Sequence, residues 1–229
     1  MIILVYALIG PPAVRLRLTG VASERLELMM VDRIGVVVGE LRRVPAPSVR
    51  NLRRYAEVIE SLAARTSAIL PARYGTTVAD ADELLLVIRA RRLLRQRLKA
   101  VRGRAQMTIR LLESASGDAP SPNQRTVSTP ARLRPGYATT EGTRYLRRKV
   151  ADAAAARNVP AFNPVRPAIR RYVKEERVEK RSGIVTINHL VSRAAVDKYR
   201  SAVERAADGN DVRLIVTGPW PPYAFADTW

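Results

Sequence analysis

Few side chains in this sequence are of the kinds that commonly do chemistry. Histidine is the usual general base near neutral pH, and His189 is the only one among 229 residues. It falls within a predicted strand, 184–191, where a core or edge histidine is the simpler reading, and no Ser-His-acid constellation can be argued from it. Cysteine is absent, which removes disulfides, thiolate metal sites and a thiolate nucleophile. One acidic cluster stands out: Asp80, Asp82 and Glu83. Carboxylates so spaced are candidate ligands for a hard cation, but they open a helical pattern whose far end is basic, and the helix dipole accounts for them better. No P-loop, dinucleotide fingerprint, nucleophile elbow or H-E-x-x-H pair occurs. The residues point away from an enzyme and supply no catalytic, cofactor-binding or metal-binding set.

Charge suggests binding instead. There are 40 basic and 21 acidic residues, a formal net charge of +19. Such an excess first suggests a nucleic acid or another polyanion. However, 35 of the basic residues are Arg and only 5 are Lys. With the high alanine content, this reads partly as coding bias. The plainer reading is a solvated basic surface, facing an acidic protein if it faces anything. Nucleic-acid binding on an open sheet also needs rings on its strands. Here Tyr6 and Tyr172 are almost the only strand candidates, and no RNP1-like pattern appears.

Three segments are distinctive. The first is Gly218-Pro219-Trp220-Pro221-Pro222-Tyr223-Ala224-Phe225. Its three prolines predict an extended, polyproline-like backbone, on which Trp220, Tyr223 and Phe225 offer large amphipathic rings. Two roles are open: sealing the chain's own core, or docking a partner. The second is Leu70-Pro71-Ala72-Arg73-Tyr74-Gly75-Thr76, where Arg73 stands beside the Tyr74 ring and Gly75 suits a positive-φ turn. The reading preferred for Arg73 is a turn with its guanidinium in a buried hydrogen-bond network. The third is Gly142-Thr143-Arg144-Tyr145-Leu146-Arg147-Arg148-Lys149, locally an ordinary basic helix start.

The elements that would position these segments can be read from periodicity. The apolar run 1–10, ended by Pro11 and Pro12, is too short to span a bilayer and lacks a basic leader, so it reads as a buried strand. Strands over 26–31 and 34–39 flank Asp32 and Arg33, a hairpin. Ser48 caps a helix with its apolar stripe on Leu52, Tyr55, Ala56, Ile59, Leu62 and Ala63. A short strand follows near Leu70. Asp80 and Glu83 then start one helix running to Gly103, with Leu84, Val87, Ile88, Leu94 and Leu98 inside. From Arg89 to Leu112 there are nine basic residues and no acid.

Beyond that helix, 107–112 reads as a strand, 114–135 as a flexible loop and 141–157 as a helix. Pro160, Pro164 and Pro167 interrupt the chain. A hairpin over 172–180 and 184–191 comes next, then a helix capped by Ser192 and stopped by Gly209 and Asn210, and a last strand over 212–217. Strand, helix, hairpin, helix, strand is the βαββαβ order of a ferredoxin-like module. The first half reads as a degenerate copy without its first helix. The expected fold is therefore α+β, with two tandem domains over 1–100 and 101–229.

The three segments, in this order, resemble the gas vesicle protein F/L family. That family carries an LPxRFGT-like segment in its first half, a G-x-x-Y-L helix start in its second and a closing GPWPPYSF-like strip. Here Tyr74 replaces the usual Phe, Ala224 the usual Ser, and Gln106 a common Glu. The resemblance covers nearly the whole chain, including the strand at its start. It implies a protein of vesicle assembly or a minor shell component, cytoplasmic or on the vesicle, without catalysis or cofactor and not inserted in a membrane. Its implied partners are the hydrophobic shell protein and other accessory proteins. The candidate partner-binding residues are Arg73, Tyr74, Trp220, Pro221, Pro222, Tyr223 and Phe225. A basic nucleic-acid-binding protein on ferredoxin-like sheets is the alternative.

Overall fold

The computed structural model describes residues 1–11, 17–112 and 158–226. The expected loop over 114–135, the expected helix over 141–157 and the segment 142–149 lie outside them.

In the first half, β1 (Ile2–Ile9) is central, and every residue from Ile3 to Ile9 is buried. A strand covered on both faces reads as a continuous apolar run rather than an alternating one. β3 (Ile34–Leu41) pairs antiparallel along one edge of β1, and β2 (Leu26–Val31) pairs with β3. Asp32 and Arg33, at φ +46° and +67°, make the two-residue turn, a conformation whose twist matches that of the strands. Two short strands share the other edge of β1: β4 (Ile69–Pro71) opposite residues 7–9, and β5 (Thr77–Val78) opposite Ile3 and Leu4. The order is β2-β3-β1-β4.

α1 (Val49–Arg65) covers one face of this sheet with Tyr55, Val58, Ile59 and Leu62. Ser48 caps it, its hydroxyl accepting the Asn51 N–H at 3.2 Å. The other face takes α2 (Ala81–Ala90) and α3 (Leu94–Val101), through Leu84, Ile88, Leu94, Leu98 and Val101. The single helix expected from Asp80 to Gly103 is thus two. The reason is phase. At about 100° per residue, an unbroken helix would turn the Leu94–Leu98 stripe roughly 80° away from the Leu84–Ile88 stripe. The break at 91–93 brings both onto one sheet face.

The second half holds β6 (Arg104–Leu112), β7 (Val173–Arg181), β8 (Ile184–Ser192) and β9 (Ile215–Trp220), in the order β7-β8-β6-β9. Numbered within each half, the two sheets have the same strand order, 2-3-1-4, and all named pairs are antiparallel. This is an α+β fold of two ferredoxin-like sheets. No helix occurs among the described residues between β1 and β2, so the first is the degenerate one.

Several boundaries differ from expectation. β6 starts three residues early, and β9 is displaced toward the C-terminus, because pairing with partner strands sets both. Pro160 and Pro167 open short helical turns, Pro160–Phe162 and Arg166–Ile169, instead of merely breaking the chain; proline's fixed φ suits a first turn. Ser192 caps nothing with its side chain. A 3-10 turn, Arg193–Ala195, intervenes before α4 (Val196–Asp208).

β6, β8 and α4 enclose a second core around Met107, Ile109, Ile187, Tyr199 and Val203. His189 lies against this core, 1% exposed, between the Tyr199 hydroxyl (2.6 Å from Nδ1) and Glu176 Oε2 (2.9 Å from Nε2). The opposite face of the sheet is polar. The first sheet's core also takes Leu190, Phe225 and Ala226 from the second half.

Candidate functional site

The aromatic strip is held by its own sheet. β9 runs on through Gly218 and Pro219 to Trp220, which stands opposite Gln106 of β6. Gly218 sits at φ +116°, where a Cβ would come within 2.7 Å of the Gln106 carbonyl oxygen, so only glycine permits this approach. The Gly218–Pro219 peptide bond is cis. After Pro221 and Pro222 the chain makes a 3-10 turn, Tyr223–Phe225. The strip is therefore a strand end followed by a turn. The polyproline-like conformation expected from its prolines does not form, because ladder pairing with β6 takes the first half of the segment.

Its rings divide. Phe225 is 1% exposed, and Pro221 and Pro222 are buried, whereas Trp220 and Tyr223 are 41% and 40% exposed. Gln106 and Arg177 fix the turn. The Gln106 amide lies in a buried cluster, donating to Thr108 Oγ1 (3.1 Å) and Asn188 Oδ1 (3.0 Å) and accepting the Ala224 N–H at 2.8 Å. Arg177 donates to the Ala224 carbonyl (2.5 Å), lies over the Phe225 ring at 5.1 Å and pairs with Glu175 at 3.2 Å. Glu175 in turn faces Arg97 of α3 at 3.6 Å.

Arg73 and Tyr74 lie in the turn between β4 and β5. The Thr76 N–H closes onto the Arg73 carbonyl at 3.1 Å, and Gly75 takes φ +84°, as its position in the sequence suggested. The Tyr74 hydroxyl donates to the Pro45 carbonyl at 2.8 Å. Its ring meets Tyr55 edge-on at 5.3 Å, and Tyr55 stacks on Tyr6 at 5.0 Å. Arg73 is exposed, and its side chain makes no hydrogen bond or ion pair among the described residues. The buried network expected for it does not exist, since the tight turn points its side chain outward.

These pieces meet in a cleft of about 1250 Å³ between the sheets. One wall is α1, with Leu52 and Ala56. Pro71, Arg73 and Tyr74 form a corner, residues 175–179 of β7 the facing wall, and Tyr223 with Ala224 one end. The cleft thus unites Arg73, Tyr74 and Tyr223. Trp220 and Pro221 line a smaller groove on another side of α1, with Glu60, Ala63, Arg193 and Arg200. Pro222 and Phe225 line neither. Leu52 is the residue that the periodicity misplaces. It belongs to the apolar stripe but is 45% exposed, overhanging the cleft.

Charges in the cleft balance: Arg73, Arg97 and Arg177 stand against Glu175, Glu176 and Glu179. Burial raises the Tyr223 and Tyr74 phenols above their ordinary value, and the Tyr74 proton is already committed to the Pro45 carbonyl. The result is a mixed surface of apolar side chains, rings and paired charges, of a kind that receives polypeptide. Among the described residues, no three His, Cys, Asp or Glu side chains gather to hold a metal ion, and no helix is long and apolar enough to cross a membrane.

Comparison with known proteins agrees with this architecture. The profile of the family described as gas vesicle synthesis protein GvpL/GvpF matches residues 2–227. The chain belongs to the GvpL/GvpF family. Two crystal structures of GvpF share its fold. That from Microcystis aeruginosa aligns with a TM-score of 0.70 at 16% identity, covering 99% of each chain. That from Anabaena sp. PCC7120 aligns with a TM-score of 0.69 at 16% identity, covering 99% of this chain and 98% of the other. No curated protein matches the chain by sequence.

Proposed function

We infer that this GvpL/GvpF-family protein acts in gas vesicle assembly by holding other polypeptides, without chemistry of its own. Its partners are the hydrophobic shell protein and further accessory proteins, met in the cytoplasm or at the growing vesicle. The observation that carries this reading is the cleft, where Tyr223 of the strip meets Arg73 and Tyr74 beneath the exposed Leu52. A shell subunit with a large apolar face must be shielded until it polymerises. A cleft combining an apolar wall, aromatic rings and balanced charge shields such a face without demanding a charged ligand.

The test is the double variant Leu52→Glu/Tyr223→Ser, both positions being at least 40% exposed. Losing one buried leucine contact and one ring contact removes about 1.5–3 kcal/mol each. Retention of the shell protein in a pull-down should then fall by more than about tenfold. A strain carrying only the variant should lose buoyancy. Val49→Glu, at a 78% exposed position outside the cleft, should change neither. Normal vesicles and unchanged retention in the double variant would overturn the reading.

A further inference from the structure

Another part of the surface lies away from the cleft and carries a different chemistry. α2 and α3 form a layer over the first sheet, with Leu84, Ile88, Leu94, Leu98 and Val101 turned into it. The first turn of α2 carries the exposed acids Asp82 and Glu83, but the break at 91–93 holds Arg91 and Arg92 and the outward side of α3 holds Arg95 and Lys99, all exposed. None of these four cations makes an ion pair or a side-chain hydrogen bond among the described residues. Leu93 stands between Arg92 and Arg95 in the chain, 57% exposed, and Leu86 on the preceding helix is 69% exposed. Leu86 lies on α2 and Leu93 in the break before α3, and neither contributes to a core.

A cationic face with two protruding leucines is matched by a ligand that brings acids and apolar side chains together. Nucleic acid supplies only the acids. It gains from rings that stack on its bases, and residues 81–101 contain no aromatic side chain. An anionic membrane needs a broad apolar stripe to enter the headgroup region, but the stripes of both helices are already committed to the first sheet. An amphipathic acidic segment fits on both counts, through paired charges at the rim and leucine contacts at the centre. The cleft, by contrast, has balanced charge and no preference for acids. We propose that the outward face of α2 and α3 is a second docking surface, separate from the cleft, for an acidic amphipathic segment of a partner polypeptide.

The test uses the full chain and fluorescence anisotropy at about 0.15 M salt, where exposed charges are screened beyond about 8 Å. The probes are a synthetic Glu/Leu amphipathic helix, its Lys/Leu counterpart, a single-stranded DNA oligonucleotide, and vesicles of phosphatidylcholine with phosphatidylglycerol. The Glu/Leu helix should bind and the Lys/Leu helix should not. Leu86→Ser/Leu93→Ser should weaken binding at least about tenfold, and Arg92→Glu/Arg95→Glu should abolish it. All four side chains are exposed, so these variants keep the fold. Leu52→Glu/Tyr223→Ser should leave this binding unchanged, which separates it from the cleft. No binding of the Glu/Leu helix, binding indifferent to the leucines, or tighter binding of DNA or vesicles would each overturn the proposal.

Discussion

Gln106 and Arg177 decide where the aromatic strip lies. A neutral amide donates and accepts at once, and Gln106 uses both abilities, facing two side-chain oxygens with its nitrogen and the Ala224 N–H with its oxygen. A few residues away, Glu176 sits between Arg166, at 2.7 Å, and His189, at 2.9 Å. Burial alone would raise its carboxyl, but the hydrogen bonds from His189 and Arg166, with the Arg166 charge, outweigh burial and hold it below the ordinary value. The folded state therefore favours the ionised form, and the unfolded chain takes up the proton first as acid is added. This contribution is complete above the unfolded carboxyl's pKa of about 4.3 and disappears as pH falls through the lower folded value. Glu176→Gln should cost about 1.5–3 kcal/mol at neutral pH and distinctly less well below pH ~4, read from urea unfolding at both. An equal cost at the two pH values would mean that charge plays no part there. None of this pairing was legible from sequence. Gln106 meets a residue 118 positions away, and His189 meets Glu176 only through strand register.

Elements governed by local rules could be read directly. β1 announced itself as an unbroken apolar run, both hairpins by short turn segments between their strands, and α1 by Ser48 and its stripe; the structure makes both hairpin turns two residues long at positive φ. Helix α2 is a further case. Asp80 Oδ1 accepts the Glu83 N–H at 2.8 Å, and Glu83 reaches back to the Ala79 N–H at 2.6 Å. Asp80→Ala should therefore cost about 1 kcal/mol, seen as a lower midpoint in chemical denaturation with an unchanged slope. What sequence missed at this scale was set by distant pairing. β5 is only two residues long, the break at 91–93 serves the sheet beneath it, and β9 slides to match β6. The same cause hid Leu52. Periodicity finds an apolar stripe, but it cannot show where the sheet below ends and the stripe overhangs a cleft.

At the scale of the whole molecule, the cleft exists only while both sheets keep their places, and Phe225 is central to that. It leaves the second sheet at the end of β9 and enters the core of the first, beside Leu190 from β8 and the helices α2 and α3. A chain cut between residues 100 and 101 would leave the first sheet without this ring. Phe225→Ala removes a side chain that is 1% exposed and should cost about 3–5 kcal/mol. If the shared core couples the sheets, the loss should appear in both. Hydrogen exchange of β1 amides and of β8 amides should then speed up by similar factors, because each exchanges through one common unfolding. Faster exchange confined to one sheet would show two modules that open separately, and the cleft walls would then be free to move apart when a partner enters. Common unfolding would instead mean a preformed cleft, in which Tyr223 and Leu52 stand ready before the partner arrives and less ordering opposes binding.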